Sequence, residues 1–274
     1  MRNNQSRTGG NNPVHPSPAP AHNSGLAYTT PTEFVVLPSK GKFYHEGHPL
    51  CGQETVEIRY MTAKDEDVLS SAALIKKGLA IDRLLQNIIV PDLNPEHLLV
   101  ADRNAIMVAA RASSYGNDYS ATVTCPSCEM TSPHIFDLSI SSLNEDCFDQ
   151  QFLDTNNIVF DEESKTYSVA LPVSNAQVSI RMLSGVDEKE LANVDEEKSV
   201  TSILLALVDS VNGHRGQEVK SFVENMPARD SKFLRDMFNL LSPGISLKQE
   251  FICGSCFYSQ EMEVPLTAEF FWPR

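Results

Sequence analysis

The sequence has no apolar run long enough to cross a membrane or to export the chain. None of its 274 residues belongs to an apolar stretch approaching the roughly 18–20 residues that span a bilayer. The first thirty residues also lack the apolar segment of a signal peptide. We therefore expect a soluble protein that is made in a cytoplasm and has no membrane partner.

Basic residues are also scarce. The chain has 22 lysines and arginines against 36 acidic residues, which gives a net charge of −14. Affinity for nucleic acids depends largely on cationic side chains that neutralise phosphates and release counterions. The charge balance therefore argues against a nucleic acid as partner.

Motifs that carry catalysis are missing as well. The sequence contains no G-x-x-x-x-G-K-[ST] or G-x-G-x-x-G loop for phosphates, no G-x-S-x-G turn for a serine nucleophile and no H-E-x-x-H metal motif. The acidic runs at residues 187–190 and 195–197 are interpreted as solvated charge near a helix start and in a polar connector. We expect no catalytic residues, no bound organic cofactor and no small-molecule substrate.

Six cysteines are too few to staple a chain of this length through disulfides, but four of them form two C-x-x-C pairs. The pairs are Cys125 with Cys128 and Cys253 with Cys256, and each has a strand-like run on either side. A structural zinc ion takes four soft ligands in a tetrahedron, and each C-x-x-C turn supplies two thiolates. The spacing predicts one zinc per chain, held by all four cysteines as in a zinc ribbon.

Other interpretations of the cysteines stay open at the level of sequence. The four thiols could hold iron instead of zinc, or the pairs could be unrelated surface dithiols or redox pairs. His134 follows the first pair closely enough to be a distant alternative ligand. Cys51 and Cys147 have no partner at ligand spacing and are expected to be small buried apolar residues.

The chain divides into an arm and two similar units. Residues 1–32 have almost nothing apolar to bury and are expected to be a disordered arm. Residues 33–145 and 146–274 each follow the order strand, helix capping box, helices, strand and C-x-x-C. Helices are expected from Thr62 to about Gly78, over 81–89, from Asn94 to about Gly116, over 203–211 and from Pro227 to the Pro-Gly at 243–244. The expected fold class is α+β.

Internal similarity supports this division. The segment 178–181 repeats 56–59, and the capping box at 184–187 repeats that at 62–65, both at an offset of 122 residues. The two C-x-x-C pairs are 128 residues apart. We expect two degenerate copies of one strand, helix and zinc-knuckle unit, related by a pseudo-twofold axis so that each copy supplies two ligands to one metal.

Three consecutive aromatic residues lie near the end of the sequence: Phe270, Phe271 and the single tryptophan Trp272. Chain ends usually fray unless they are tied down, and three exposed aromatics would form an apolar patch. The tail is therefore expected either to fold onto the core of the chain or to insert into a neighbouring protein.

Several short motifs resemble the T4-like baseplate hub family of contractile-tailed bacteriophages. They are Leu37-Pro-Ser-Lys-Gly41 followed by Tyr44, Ile75-Lys-Lys-Gly78, Leu99 to Ile106, Tyr115-Gly-Asn-Asp-Tyr119, the first C-x-x-C with Phe136-Asp-Leu138, and Phe270-Phe-Trp-Pro273. The resemblance covers residues 34–140 well, the second C-x-x-C and the tail less well, and the arm not at all. It brings no catalytic residues.

The resemblance implies a non-enzymatic structural or assembly subunit of the tail baseplate. Its expected partners are other phage baseplate and tail proteins, and its expected location is the virion, after assembly in the host cytoplasm. Whether it is a permanent component or an assembly factor stays open. An alternative function, a zinc-ribbon module binding nucleic acid or transcription machinery, is disfavoured by the acidic charge.

Overall fold

A computed structural model describes residues 29–144, 146–193, 199–265 and 268–271. Helices are interspersed with small antiparallel sheets, so the α+β class predicted from the sequence is confirmed. The predicted disordered arm, apart from its last four residues, the acidic cluster at 195–197 and Trp272 lie outside the described residues.

The first half runs from a hairpin through helices to a second hairpin. Its elements are β1 (Thr32–Val36), β2 (Thr55–Arg59), α1 (Ala63–Ser70), α2 (Ala72–Lys76), α3 (Ala80–Ile88), a 3₁₀ turn (Pro95–His97), α4 (Val100–Tyr115), β3 (Asp118–Thr124), β4 (Thr131–Asp137) and β5 (Ser142–Leu143). In α3 the apolar residues three and four apart form one face, and Leu84, Leu85 and Ile88 on it are fully buried.

The second half follows a similar order. Its elements are a 3₁₀ turn (Asp146–Phe148), α5 (Gln150–Thr155), β6 (Val159–Asp161), β7 (Thr166–Ala170), β8 (Gln177–Ile180), α6 (Gly185–Asn193), α7 (Val200–Leu207), β9 (Val208–Val211), α8 (Gln217–Glu224), α9 (Ala228–Leu241), β10 (Ile245–Ser246), β11 (Lys248–Ile252), β12 (Ser259–Glu263) and a final 3₁₀ turn (Ala268–Phe271).

Each half has a sheet built on one antiparallel hairpin. In the first half β1 pairs with β2, and Ile89 adds a single bridge to Ile58 on the other side of β2. In the second half the strand order is β6-β7-β8-β9. The β5 strand of the first half pairs with β10 of the second, so the halves also share a two-stranded sheet.

Two predicted helices are shorter or more broken than the sequence suggested. The helix expected from Thr62 to Gly78 is wrong as one element: it is split at Ser71, whose extended backbone caps α2 by accepting the N–H groups of Leu74 and Ile75. Serine is a poor residue inside a helix and a good one at its start. Residues 208–211, predicted as helix, form β9 because β8 offers them a strand edge.

The helix expected from Asn94 is also interrupted. The Asn94 side chain caps only a 3₁₀ turn, and α4 begins separately at Val100. Leu99 is extended because it forms an antiparallel bridge with Ser184 of the second half. Tertiary pairing therefore overrides the local helical signal at this point.

The predicted capping boxes recur with the same contacts in both halves. At 62–65 and at 184–187 the carboxylate of the last residue accepts the N–H and the hydroxyl of the first, at 2.7–2.8 Å. The same carboxylates accept both terminal guanidinium nitrogens of an arginine, which is Arg59 at the end of β2 in one half and Arg181 directly after β8 in the other.

A second pair of acidic residues recurs deeper in the core. Asp102 in the first turn of α4 is fully buried and accepts the N–H and hydroxyl of Ser39 and the hydroxyl of Tyr44. Asp230 in the first turn of α9 is also fully buried and accepts the N–H groups of residues 173 and 174. Each carboxylate therefore anchors the loop of its hairpin to a helix.

Charged side chains also connect the two halves. Lys189 of α6 pairs with Asp82 of α3 and, at 2.6 Å, with Glu96, while Arg103 donates to the same Asp82 at 2.8 Å. The helices approach closely here, since a Cβ on Gly185 would lie 2.6 Å from a guanidinium nitrogen of Arg103. A side chain at this position would therefore displace the guanidinium group of Arg103.

The end of the chain folds back onto the first half. Phe270 and Phe271 are 4% and 3% exposed, and the buried Arg111 of α4 donates to the carbonyl of Phe270 at 2.9 Å. The hydroxyl of Tyr119 donates to the carbonyl of Pro265 at 3.0 Å. Of the two expectations for the tail, these residues follow the one in which the aromatics join the protein's own core.

The buried apolar residues form one continuous core. It extends from Val35 in β1 to Phe271 and includes residues of both halves. Among the helices of the described ranges, none has the combination of length and apolarity that a bilayer crossing needs.

Candidate metal centre

Two β-hairpins far apart in the sequence carry the C-x-x-C pairs. The β3–β4 hairpin places Thr124 opposite Thr131, so the first pair lies in the connection between these strands. The β11–β12 hairpin places Ile252 opposite Ser259 and carries the second pair in the same way. Each pair therefore lies at the tip of a hairpin, as the flanking strand patterns predicted.

The two tips have the same backbone hydrogen bonds. The N–H of Cys125 donates to the carbonyl of Met130, and the N–H of Glu129 donates back to the carbonyl of Cys125, both at 2.9 Å. Cys253 makes the corresponding bonds with Tyr258 and Phe257 at 2.9 and 3.0 Å. These bonds close each tip into a tight turn that directs both thiols to one side.

Each turn also contains a residue with left-handed backbone. Glu129 and Phe257 have φ values of 59° and 58°, although neither is glycine. A left-handed conformation costs a residue with a Cβ roughly 1–2 kcal/mol. The same strain occurs at the same position of both turns. This indicates that closure of the turn around the thiols imposes the left-handed backbone conformation.

The four thiols converge. All four Sγ atoms lie within 4.8 Å of one another, with 3.7 Å from Cys125 to Cys256 and 3.7 Å from Cys128 to Cys253. These two contacts each join the first cysteine of one pair to the second of the other. Cys125 and Cys253 are buried, and the other two lie nearer the solvent.

This arrangement is compatible with a metal site. A Zn–S bond of about 2.3 Å in a tetrahedron corresponds to sulfur–sulfur distances of about 3.8 Å. The observed 3.7 Å contacts match that edge, and none of the four clustered cysteines forms a disulfide. In the described part of the chain, no other group of three or more histidine, cysteine or carboxylate ligands converges in this way.

The acidity of the thiols differs within the cluster. The pKa of Cys253 is lowered to about 6, because the backbone N–H groups of Cys256 and Ser255 point at its sulfur. The N–H of Met130 lowers the pKa of Cys128, but the other three thiols outweigh it and raise that pKa to about 12. Neighbouring thiolates repel one another, so a bound cation would favour full deprotonation.

Protein contacts also hold the hairpins together. The side-chain amide of Gln249 in β11 donates to the carbonyl of Asp137 in β4 at 2.7 Å and accepts the N–H of Asp137 at 2.9 Å. The ring of His134 lies between Phe136 and Phe251, with centroid distances of 4.7 and 5.3 Å. The tips are therefore positioned by contacts along the strands as well as by the turns.

The other candidate residues do not join the cluster. His134 packs among aromatic rings and is not one of the converging ligands. Cys147 is fully buried as predicted, whereas Cys51 is only partly buried at the edge of the core. The solvated interpretation of residues 187–190 is wrong for Asp187, which is 8% exposed and bound by Arg181.

Sequence reasoning missed the buried carboxylates and the glutamine between the hairpins. Asp102 and Asp230 are separated by 128 residues, the same offset as the cysteine pairs, so the repeat contained a signal for them. No comparable signal exists for Gln249, because its partner is a backbone carbonyl and amide of another hairpin.

A model of the family described as T4 bacteriophage base plate protein matches residues 30–272 of the chain. The chain belongs to this family. Searches of curated proteins and of solved structures return no match.

Membership of the base plate family points to a structural role in a phage baseplate. It also implies contacts with other tail and baseplate proteins and a place in the virion tail. A structural family of this kind suggests a protein without enzymatic activity. The converging cysteines give this base plate protein a cluster that is compatible with a metal.

Proposed function

We propose that the chain is a non-enzymatic structural or assembly subunit in the hub region of a contractile-tail baseplate, with one structural zinc. The family match over residues 30–272 carries the assignment to the baseplate. The zinc would be held by Cys125, Cys128, Cys253 and Cys256. Its role would be to join the two α+β units into a rigid adaptor for neighbouring proteins.

Zinc is favoured by the chemistry and geometry of the donors. Four thiolates with sulfur–sulfur contacts of 3.7 Å suit a closed tetrahedral site, which is typical of structural zinc. Iron would accept the same four thiols, so the two metals differ in spectroscopy rather than in ligands. Backbone N–H groups directed at the sulfurs support their negative charge, as hydrogen-bond donors to the ligand atoms do in metal sites.

We further propose that residues 33–145 and 146–274 are two degenerate copies of one unit, related by a pseudo-twofold axis through the metal. Three features support this: the matching capping-box contacts, the buried aspartates at the same helix position, and the identical hydrogen bonds of the two turns. The sulfur contacts between the first cysteine of one pair and the second of the other have the pattern that such an axis produces.

The proposed partners are other baseplate and tail proteins, and neither nucleic acid nor a small-molecule substrate. The net charge of −14 supports the exclusion of nucleic acid. The arm predicted over residues 1–32 is proposed to attach the subunit to a neighbour through residues 1–28, because Thr32 already belongs to β1.

Two measurements test this function. Elemental analysis of protein purified without chelator should give one zinc per chain, and Co²⁺ substitution should give the visible absorption of a tetrahedral thiolate site. Protein that contains no metal would contradict the proposed structural zinc site. Mass spectrometry of purified virions and of assembly intermediates should detect the chain in at least one of them, and its absence from both would contradict the baseplate role.

A further inference from the structure

The outer edge of β1 is free to accept another strand. The pairing of β1 with β2 uses the N–H and C=O groups of alternate residues, from the carbonyl of Pro31 to the N–H of Leu37. The N–H and C=O groups of Phe34 and Val36 therefore point away from β2. Among the described residues, no strand pairs with this edge.

The second half shows what covers the corresponding edge there. Its hairpin β7–β8 matches β1–β2, since Leu171-Pro172 follows β7 as Leu37-Pro38 follows β1. In the second half the antiparallel strand β6 pairs with the outer edge of β7. The first half has the two paired strands without the third.

The side chains at the outer edge of β1 also differ from those at the corresponding edge of β7. Phe34 is 70% exposed and Val36 is 51% exposed, both on the outer face of the sheet. The corresponding residues of β7 are Ser168 and Ala170, which are small. A free edge with exposed large apolar residues is a template for pairing that proteins usually block with charge or proline.

Carboxylates without ion pairs surround this edge. The Oε1 atom of Glu33 is buried and has no hydrogen-bond partner within the described part of the chain. Within the described residues, neither Glu54 nor Glu57, which lies opposite Phe34, forms a salt bridge. A basic side chain beside β1 would satisfy Glu33, whose partly buried position makes an unpaired oxygen costly.

We propose that β1 binds one extended segment of a neighbouring tail protein by antiparallel strand addition. The segment would place apolar side chains over Phe34 and Val36 on the outer face and a lysine or arginine beside Glu33 on the other face. An alternation of apolar and basic residues satisfies both faces, since successive side chains of a strand point to opposite sides. The identification of the partner as a tail protein rests on the proposed baseplate function. The proposal that the edge of β1 accepts a strand does not.

Charge distinguishes this occupant from the two others that the chain itself could supply. A second copy would bring its own Glu33 and Glu57 to an edge that already carries them. The arm of the same chain has no lysine, and its only arginines, Arg2 and Arg7, stand more than twenty residues before β1. A basic segment of another protein fits the acidic edge better than either.

The edge can be blocked without disturbing the pairing of β1 with β2. Phe34→Pro removes an N–H that does not bond to β2, and Phe34→Ser introduces the residue that the second half has at this position. Val159→Ser on β6 is the matched control, because Val159 is also an apolar strand residue, 63% exposed. All three variants should keep the circular dichroism and melting temperature of the unmodified protein.

The expected result is a loss of binding with an intact fold. The lost backbone hydrogen bond and the lost apolar contact should lower incorporation of Phe34→Pro into tails by about tenfold, with a smaller loss for Phe34→Ser and none for Val159→Ser. Glu33→Gln should also lower incorporation, because it removes the charge while keeping the size of the side chain.

Cross-linking identifies the occupant. With p-benzoylphenylalanine at Val36, cross-links in assembled tails should map to a segment of another tail protein that has a lysine or arginine next to the linked residue. Cross-links to residues 1–28, to a second copy or to a segment without basic residues would overturn the proposal, as would normal incorporation of Phe34→Pro. If the unmodified chain is absent from tails and their intermediates, the baseplate function fails instead.

Discussion

At the scale of single residues, stability depends on carboxylates removed from water. Asp65 and Asp187 are each bound by an arginine, whereas Asp102 is fully buried with hydroxyl and amide donors and no cation. Burial raises the pKa of Asp102, although its hydrogen bonds to Ser39 and Tyr44 oppose this shift. The stabilisation contributed by the arginine-bound Asp65 and Asp187 should therefore depend on pH in the opposite sense to that contributed by Asp102.

We predict that the Asp65 ion pair stabilises the protein in full above about pH 4 and progressively less below it. Burial acts to raise its pKa, but the bonds from Arg59 and Thr62 prevail and lower it to about 2. Because this folded pKa is below the unfolded value near 3.9, the contribution of about 2 kcal/mol is present above that value and is lost as the pH falls toward 2.

Urea denaturation between pH 6 and pH 2 measures whether the stabilisation by Asp65 is lost on acidification. Asp65→Asn should lose about 2 kcal/mol at pH 6 and progressively less as the pH approaches 2. Asp67→Asn, an exposed residue of the same helix, should show no such difference. An equal loss for Asp65→Asn at both pH values would contradict the prediction.

At the scale of elements, the two hairpins carry the candidate metal centre and its supports. The turns bring the thiols together, while Gln249 and the ring of His134 join the strands behind them. The hairpins therefore have contacts of their own in addition to any bound metal.

Loss of one thiol should destabilise the protein far more than loss of an unclustered cysteine. Structural zinc contributes on the order of 10–16 kcal/mol of apparent binding free energy in small zinc-finger peptides. Cys128→Ser or Cys253→Ser should therefore lower the melting temperature strongly, and a chelator should do the same to the unmodified protein. Cys51→Ala, at a partly buried position outside the cluster, should have a small effect. Equal effects of these variants would contradict a structural metal.

The strained turn residues offer a gain in stability. Phe257→Gly should raise the free energy of unfolding by about 1 kcal/mol, since glycine adopts left-handed φ without the penalty of a Cβ. Ser255→Gly is the control in the same turn, and it should destabilise because Ser255 is not left-handed. Thermal denaturation of both variants with metal bound measures the difference, and a loss for Phe257→Gly would contradict the strain argument.

At the scale of the whole molecule, the first and last parts of the chain are packed together. The tail places two phenylalanines against the first half, and the thiols of both hairpins meet. These contacts close one continuous core.

Removal of the tail should therefore destabilise the isolated protein. Deletion of residues 268–274 removes the buried Phe270 and Phe271 and leaves Arg111 without its carbonyl partner. Loss of a single buried phenylalanine typically costs about 3–5 kcal/mol, so the truncated chain should unfold at a much lower urea concentration. A truncated chain that keeps full stability and fails only in particle assembly would show that the tail serves a neighbour.

The arm gives the contrasting truncation. Deletion of residues 1–28 should leave the melting temperature nearly unchanged, because this segment has few apolar side chains to bury. A large decrease would show that the arm packs on the body of the protein.

The sequence by itself determined the elements whose signals are local. The hairpins, the capping boxes at 62–65 and 184–187 and the two cysteine turns were predicted, because their hydrogen bonds join residues a few positions apart. The repeat of these signals also indicated that four cysteines belong together. The family resemblance came from short motifs of the same local kind.

Only the tertiary structure decided the features that depend on distant partners. The break before α4, the strand formed by residues 208–211 and the direction of the aromatic tail all result from pairing or packing across the chain. Such contacts have no periodicity to detect, since each residue retains its local preference until a partner tens of positions or more away in the sequence outweighs it.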